Sequence, residues 1–314
     1  MRLALFLIAA IAIFIAANFL RDTAATRARL AEASVVIDTR AGPVETARYG
    51  AGLPVLVLHG AGGGHDQGAL LAGAMVGEGF DIIAPSRFGY LRSPLAADAS
   101  TAAQADALAA LLDELGVDRV GVVAMSGGAP PALQFASRRP ERVSALVLLS
   151  AAPYTPFTIE AQELPVPIFV YNALFASDFP YWLLRRVAPA AIAPMFDARA
   201  DILRRASAEE REFVRAMMAA FEPVTARVEG LRNEGAAIDP AARYDLASVS
   251  APTLVVHAVD DALNPVAVSE RIAEDVAGAD LVLLPDGGHL LLGHHGSLRE
   301  RISRFLRTAS ARLD

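Results

Sequence analysis

Apolar residues fill the chain from Leu3 to Leu20 (LALFLIAAIAIFIAANFL), with Asn18 the one polar interruption. A helix of that length rises about 27 Å, close to the hydrocarbon thickness of a bilayer. It has no polar face of the kind a buried soluble helix keeps. The run predicts a single-pass membrane anchor over residues 1–22, longer than a signal-peptide core. A small-x-small pattern at Ala31-Glu32-Ala33 stands well past the run, so an uncleaved anchor is expected. Orientation stays open. Arg2 lies on one side and Arg21, Arg27 and Arg29 on the other, which places the following domain in the cytoplasm. A short amino-terminal tail before an apolar core also looks like an export signal. Residues 23–33 are read as a short helical or flexible tether, and a bacterial-type inner membrane as the location.

From Ser34 the pattern alternates. SVVIDTR and VETARYG, parted by Ala-Gly-Pro, predict a hairpin. Short, nearly continuous apolar runs predict strands at 54–60, 80–86, 118–125, 143–150, 252–258 and 280–286. Helical spacing fills the intervals, at 68–80, 101–117, 130–140, 265–277 and 297–313. Thr101 is expected to cap the second of these, with Gln104 completing a capping box. Apolar strands separated by helices predict an α/β fold, a mostly parallel sheet covered on both faces. From Tyr154 to Asp245 no strand pattern appears. That stretch holds Trp182 and helix-like runs such as SAEEREFVRAMMAAFE. It is expected to be a helical insertion over 154–245, dividing a core of 34–153 and 246–314.

Composition narrows the classes. The 314 residues are 54% hydrophobic and carry a net charge of −7, so a large core can form. All 28 basic residues are arginine, and no basic face for nucleic acid stands out. There is no cysteine, which excludes disulfides, thiolate metal sites and cysteine nucleophiles. No histidine sits in an H-E-x-x-H pattern, so no metal is expected.

The chemistry gathers around VVAMSGGAP, residues 122–130. A strand runs into Ser126, and Gly127 and Gly128 follow with two prolines behind. Strand, tight turn and helix place Ser126 at the carboxyl edge of the sheet, where ligands bind in open α/β folds. Backbone N–H groups at the helix start favour negative charge there. An ordinary turn with a capping serine would read the same way. Ala-Met-Ser-Gly-Gly resembles the G-x-S-x-G nucleophile elbow of the α/β-hydrolase superfamily, with alanine at the first glycine.

That resemblance extends from about Val35 to the carboxyl end and is weakest through 154–245. PSRFGYLRSP (85–94) is similar to the family's P-x-R-x-G-x-G-x-S stretch, with Tyr90-Leu91 replacing the small-residue detail, and SRRPERVSALVLLSA is also family-like. The family's order is Ser, then Asp or Glu, then His. Asp261, in a D-x-x-x-P pattern ending at Pro265, matches the acid, although the adjacent Asp260 competes and paired aspartates also suit a plain turn. His289, behind two glycines after the last strand, matches the base. His294 and His295 suit a surface or capping role near a helix start. His257 reads as packed. His65 reads equally as pocket lining or plain loop.

LHGAGGGHDQG (58–68) opens into glycines that let backbone N–H groups approach a substrate. By resemblance, Ala61 supplies one oxyanion donor, with Gly62 the runner-up, and Gly127 supplies the other. A phosphate loop is excluded by the absence of lysine, and the glycine order fits a dinucleotide fingerprint poorly. The resemblance implies an α/β-hydrolase fold with a helical cap and no cofactor. It implies a serine hydrolase cleaving an ester or related acyl bond of a small to medium apolar substrate through an acyl-enzyme. Carbon–carbon or amide hydrolysis would use the same triad. Dehalogenase and epoxide hydrolase relatives carry Asp where Ser126 stands. A membrane-anchored, non-catalytic ligand-binding protein of the same fold is the alternative from another class. Oligomeric state is not legible.

Overall fold

The computed structural model describes residues 1–154, 168–236 and 242–311, so the parts of the expected insertion at 155–167 and 237–241 lie outside the described residues. The strands are β1 (Val35–Thr39), β2 (Gly42–Gly50), β3 (Leu53–Leu58), β4 (Phe80–Pro85), β5 (Val120–Met125), β6 (Val143–Leu149), β7 (Thr253–Ala258) and β8 (Asp280–Leu284). They form one sheet in the order β1-β2-β4-β3-β5-β6-β7-β8. β1 and β2 pair antiparallel, as do β2 and β4, and the remaining pairs are parallel. The helices are α1 (Arg2–Glu32), α2 (His65–Met75), α3 (Thr101–Glu114), α4 (Ala129–Arg138), α5 (Ile168–Phe175), α6 (Asp178–Val187), α7 (Pro189–Ile192), α8 (Ala200–Arg205), α9 (Ala208–Ala219), α10 (Val228–Ala236), α11 (Val266–Asp275) and α12 (His295–Ser310).

The continuous apolar strands follow from burial on both faces. Successive side chains point to opposite faces of a strand. Val55 and Val57 therefore join a core with α2, α12 and the insertion, while Leu56 and Leu58 join another with α3, α4 and α11. The chain leaves β3 toward β4 on one side and returns to β5 on the other. That reversal opens a crevice at the carboxyl ends of β3 and β5. The glycine run and Ser126 leave the sheet at those two ends.

Two local readings differ from expectation. The α3 cap is Ser100, whose hydroxyl accepts from the Ala103 N–H at 3.1 Å, and not Thr101. The Thr101 hydroxyl instead meets the Tyr244 hydroxyl at 2.9 Å. Residues 23–32 continue the apolar helix without a break, because no glycine or proline interrupts the good helix formers there. The carboxyl part of α1 also packs on the insertion. Phe19 meets Phe179 and Trp182 with ring centroids 5.3 Å away in each case. Asp22 pairs with Arg186 at 2.5 Å and Arg27 with Asp178 at 3.1 Å.

Candidate active site

Ser126 has φ 51, a left-handed conformation that costs a non-glycine residue energy. The turn has no room for side chains. A Cβ on Gly128 would stand 2.7 Å from the Leu58 carbonyl oxygen and 2.8 Å from that of His59. Pro130 and Pro131 occupy the first turn of α4, where a missing N–H costs nothing. The Ser126 side chain is thus presented above the sheet at the reversal point.

His289 lies on the same edge, after β8. Its Nδ1 is 2.9 Å from Asp261 Oδ2. Asp261 Oδ1 accepts the Leu263 and Asn264 N–H groups at 2.8 and 3.0 Å, so the carboxylate is held by its own loop. Asp260 is engaged elsewhere, accepting the Gly288 N–H at 2.8 Å and pairing with Arg199 at 2.9 Å. No hydrogen bond joins Ser126 to His289 in this structure. The Ser126 hydroxyl accepts from Asn264 Nδ2 at 3.4 Å, and Asn264 also donates to the Ser150 carbonyl at 2.8 Å. The Ser150 hydroxyl in turn donates to the His289 carbonyl at 2.8 Å, which ties the two loops together. Catalytic hydrogen bonds are often long before substrate binds.

Burial works to lower the His289 pKa. The charge and hydrogen bond of Asp261, with the charge of Asp197, outweigh it, and the imidazole lies above its ordinary value. Burial works to raise the Asp261 pKa, and His289, the Asn264 N–H and His257 together pull it below the usual carboxylate value.

Ala61 follows β3 with its N–H unpaired among the described residues. A Cβ on Gly127 would stand 3.2 Å from that nitrogen, so the two expected donors share one corner. Gly62 is engaged elsewhere, its N–H donating to the Tyr90 hydroxyl at 3.2 Å. A side chain on Gly62 would strike the ring of Phe221, which packs with Phe175, Tyr181 and Phe196 of the insertion. The crevice therefore has an aromatic wall.

Three polar residues at the site escaped the sequence reading. Asp197, between α7 and α8, is buried and accepts the N–H groups of Ala262 and His289 at 3.0 and 2.9 Å, joining the acid and base loops. Asn264 sits inside the D-x-x-x-P stretch, where its place beside Asp261 was a usable signal. Glu234, on α10, pairs with Arg87, accepts from the Tyr90 hydroxyl at 2.8 Å, and fills the space a Gly127 side chain would need. Burial first, then the Glu234 charge, hold the Tyr90 phenol well above its ordinary value, so it is protonated at neutral pH. Nothing in the helical spacing around Asp197 or Glu234 marks either residue.

The remaining histidines are buried apart from His294, which is half-buried. His257 is buried between the Ser269 hydroxyl at 2.7 Å and the Asn264 carbonyl at 3.1 Å. His295 is buried against Phe213 and the Leu290 carbonyl. His294 precedes α12 and meets Asp286 at 2.9 Å. His65 is buried at the start of α2, 3.8 Å from Glu45. His59 is buried too, its Nε2 accepting the Arg87 N–H at 3.0 Å.

Residues 54–295 match the model of the α/β-hydrolase fold family. The chain is 29% identical over 268 residues to an uncharacterized hydrolase, YcgS, of Bacillus subtilis (strain 168), covering 80% of this chain and 89% of that protein. It is 31% identical over 260 residues to a putative carbamate hydrolase, RutD, of Variovorax paradoxus (strain S110), covering 76% and 85%. Among solved structures it is similar to an α/β-hydrolase fold protein from Nakamurella multipartita, with TM-score 0.77, 28% identity, and coverage of 87% and 99%. The chain belongs to the α/β-hydrolase family, and it is a hydrolase of that family.

Proposed function

We propose that this chain is a membrane-anchored serine hydrolase that cleaves an ester or related acyl bond through an acyl-enzyme. Ser126 is the nucleophile, His289 its base, and Asp261 orients and charge-stabilises the imidazole. The Ala61 and Gly127 N–H groups hold the oxyanion, each worth a few kcal/mol in such sites, about 3–4. The observation that carries the reading is the 2.9 Å contact between His289 Nδ1 and Asp261 Oδ2, at the edge where Ser126 stands in its left-handed turn.

His289 takes the hydroxyl proton as Ser126 attacks the carbonyl, and returns it to the leaving group. Water activated by the same imidazole then releases the acid. Reaction requires a rotation of the Ser126 hydroxyl from Asn264 toward the imidazole. The Phe221 wall favours a small to medium substrate with an apolar part. The segment 154–245 acts as the cap. Helix α1, long and apolar with Leu3 to Phe14 exposed, is the anchor.

One specific feature favours a second reading, a non-catalytic ligand-binding protein of the same fold: Ser126 is bonded to Asn264 and not to His289. The full chain in detergent, treated with a fluorophosphonate probe and read by intact mass, separates the two. One adduct per chain, lost in Ser126→Ala, is the expected result. An unlabelled, folded wild-type chain would leave the binder.

A further inference from the structure

Glu234 stands where the reaction needs an empty, anion-attracting space. One of its oxygens meets the Arg87 guanidinium and accepts from the Tyr90 hydroxyl at 2.8 Å. The other lies against Gly127, 2.0 Å from where a Gly127 Cβ would stand, and the Ala61 nitrogen is 3.2 Å from that same point. A carboxylate there repels a developing oxyanion, so Glu234 has to leave for the chemistry. Its departure is costly by itself. The Arg87 side chain is 4% exposed, its Nε and one Nη2 contact are spent on the His59 and Gly60 carbonyls at 3.0 and 3.2 Å, and Glu234 is its ion-pair partner among the described residues. A buried guanidinium stripped of its carboxylate is strongly unfavourable. A neutral ester leaves that charge uncompensated. An ester bearing its own carboxylate does not.

We propose that Arg87 and Tyr90 form a carboxylate subsite, filled by Glu234 in the resting chain, and that the substrate is a short half-ester of a dicarboxylic acid. The proposal rests on the serine hydrolase reading and refines its substrate class. Chain length follows from geometry. The two oxygens of one carboxylate already bridge the Arg87–Tyr90 corner and Gly127. The substrate's free carboxylate therefore stands within one or two carbons of the reacting carbonyl, as in oxalyl or malonyl half-esters. Its alcohol part lies toward the Phe221 wall. Glu234, whose side chain is 16% exposed, has water close by to move into, and α10 carries it.

Monoethyl malonate and ethyl butanoate differ chiefly in that carboxylate, and acid release by the full chain in detergent compares them. We expect kcat/KM at least tenfold higher for the half-ester. In Glu234→Gln, whose neutral amide competes less for Arg87 and leaves more easily, KM for the half-ester falls about tenfold with kcat kept, and the neutral ester, which no longer has to strip Arg87 of its carboxylate, gains as well. Equal rates for the two esters, or equal loss on both in Glu234→Gln, would overturn the subsite and leave Glu234 a structural counter-ion. A readout without turnover separates this from the nucleophile assignment. In Ser126→Ala/Glu234→Gln, malonate should raise Tm and malonamide should not. Equal shifts count against the subsite even where fluorophosphonate labels Ser126.

Discussion

Asp261 on the sheet edge and Glu234 on the insertion are both carboxylates turned inward at one crevice, yet they are held by different means. Asp261 is fully buried and fixed by N–H groups two and three residues along its own loop. Glu234 is partly exposed, and its partners Arg87 and Tyr90 stand 147 and 144 residues away in the chain. Local bonds hold the first position, and Asp197 of the insertion braces it by accepting the Ala262 and His289 N–H groups. Tertiary bonds make the second depend on where α10 sits. In the proposed reading the edge is the catalytic frame, and Glu234 is the contact of the insertion that substrate exchanges.

The largest effect that tests this contrast falls on the edge. Asp261→Asn should lower kcat/KM about a thousandfold, as loss of the orienting charge does in such triads. Asp260→Asn should change it only a few-fold, because Asp260 bonds Gly288 and Arg199. A greater loss in Asp260→Asn would reverse the assignment. The pH profile carries the same information with a definite sign. In its proposed role as base His289 works as neutral imidazole, and Asp261 raises its pKa above the ordinary 6.5. Activity should therefore fall as pH drops through a midpoint above 6.5, and in Asp261→Asn, with only the Asp197 charge left to oppose burial, that midpoint should move down.

A smaller effect tests how the insertion is fastened. Arg227 precedes α10 and is fully buried, paired with Asp66 at 2.9 Å and donating to the Gly63 and Glu222 carbonyls at 2.7 and 3.1 Å. It ties the insertion to the start of α2 and to the glycine run. Arg227→Leu should cost about 3–5 kcal/mol in denaturant unfolding, since Asp66 loses its partner in a dry site. A loss under about 1 kcal/mol would mean that the insertion and the sheet are stable apart.

Legibility in the sequence follows the same division. The strands could be read because burial on both faces makes them continuously apolar, as in Val143–Leu149, where every residue is buried. Ser126, Asp261 and His289 could be singled out through the resemblance because short turns after strands carry local signatures. Family membership is shown by the match over residues 54–295. Leu91, where the sequence departs from the family's small residues, has φ 54, so the backbone keeps the turn that the usual residue would favour. Asp197 and Glu234 could not be found this way. Each acts across more than 60 residues, and the local pattern, a turn between helices for Asp197 and helical spacing for Glu234, says nothing of its partners. The Ser100 cap was missed because Ser and Thr adjoin, and one residue of register decides which side chain reaches an orphan N–H.

The smallest effect concerns α1, read from sequence as anchor and tether but here one helix docked on α6. A flexible tether would leave Trp182 indifferent to anything at Phe19. A docked helix would not, because the Phe19 ring meets both Phe179 and Trp182 edge-on, and Asp22 and Arg27 add ion pairs to the same helix. Edge-to-face aromatic pairs are worth about 0.5–1.5 kcal/mol each beyond their buried area. Exposed ion pairs add less, roughly 0.2–1 kcal/mol. Phe19→Ala should therefore lower Tm by a few degrees, about 2–4 °C per kcal/mol for a chain of this size class. The protein has a single tryptophan, so emission reports this contact directly. It should shift to the red in Phe19→Ala, while Phe14→Ala, an exposed position five residues deeper in the apolar run, should leave both readouts unchanged. Identical spectra and Tm for the two variants would return α1 to a tether and free the insertion from the anchor.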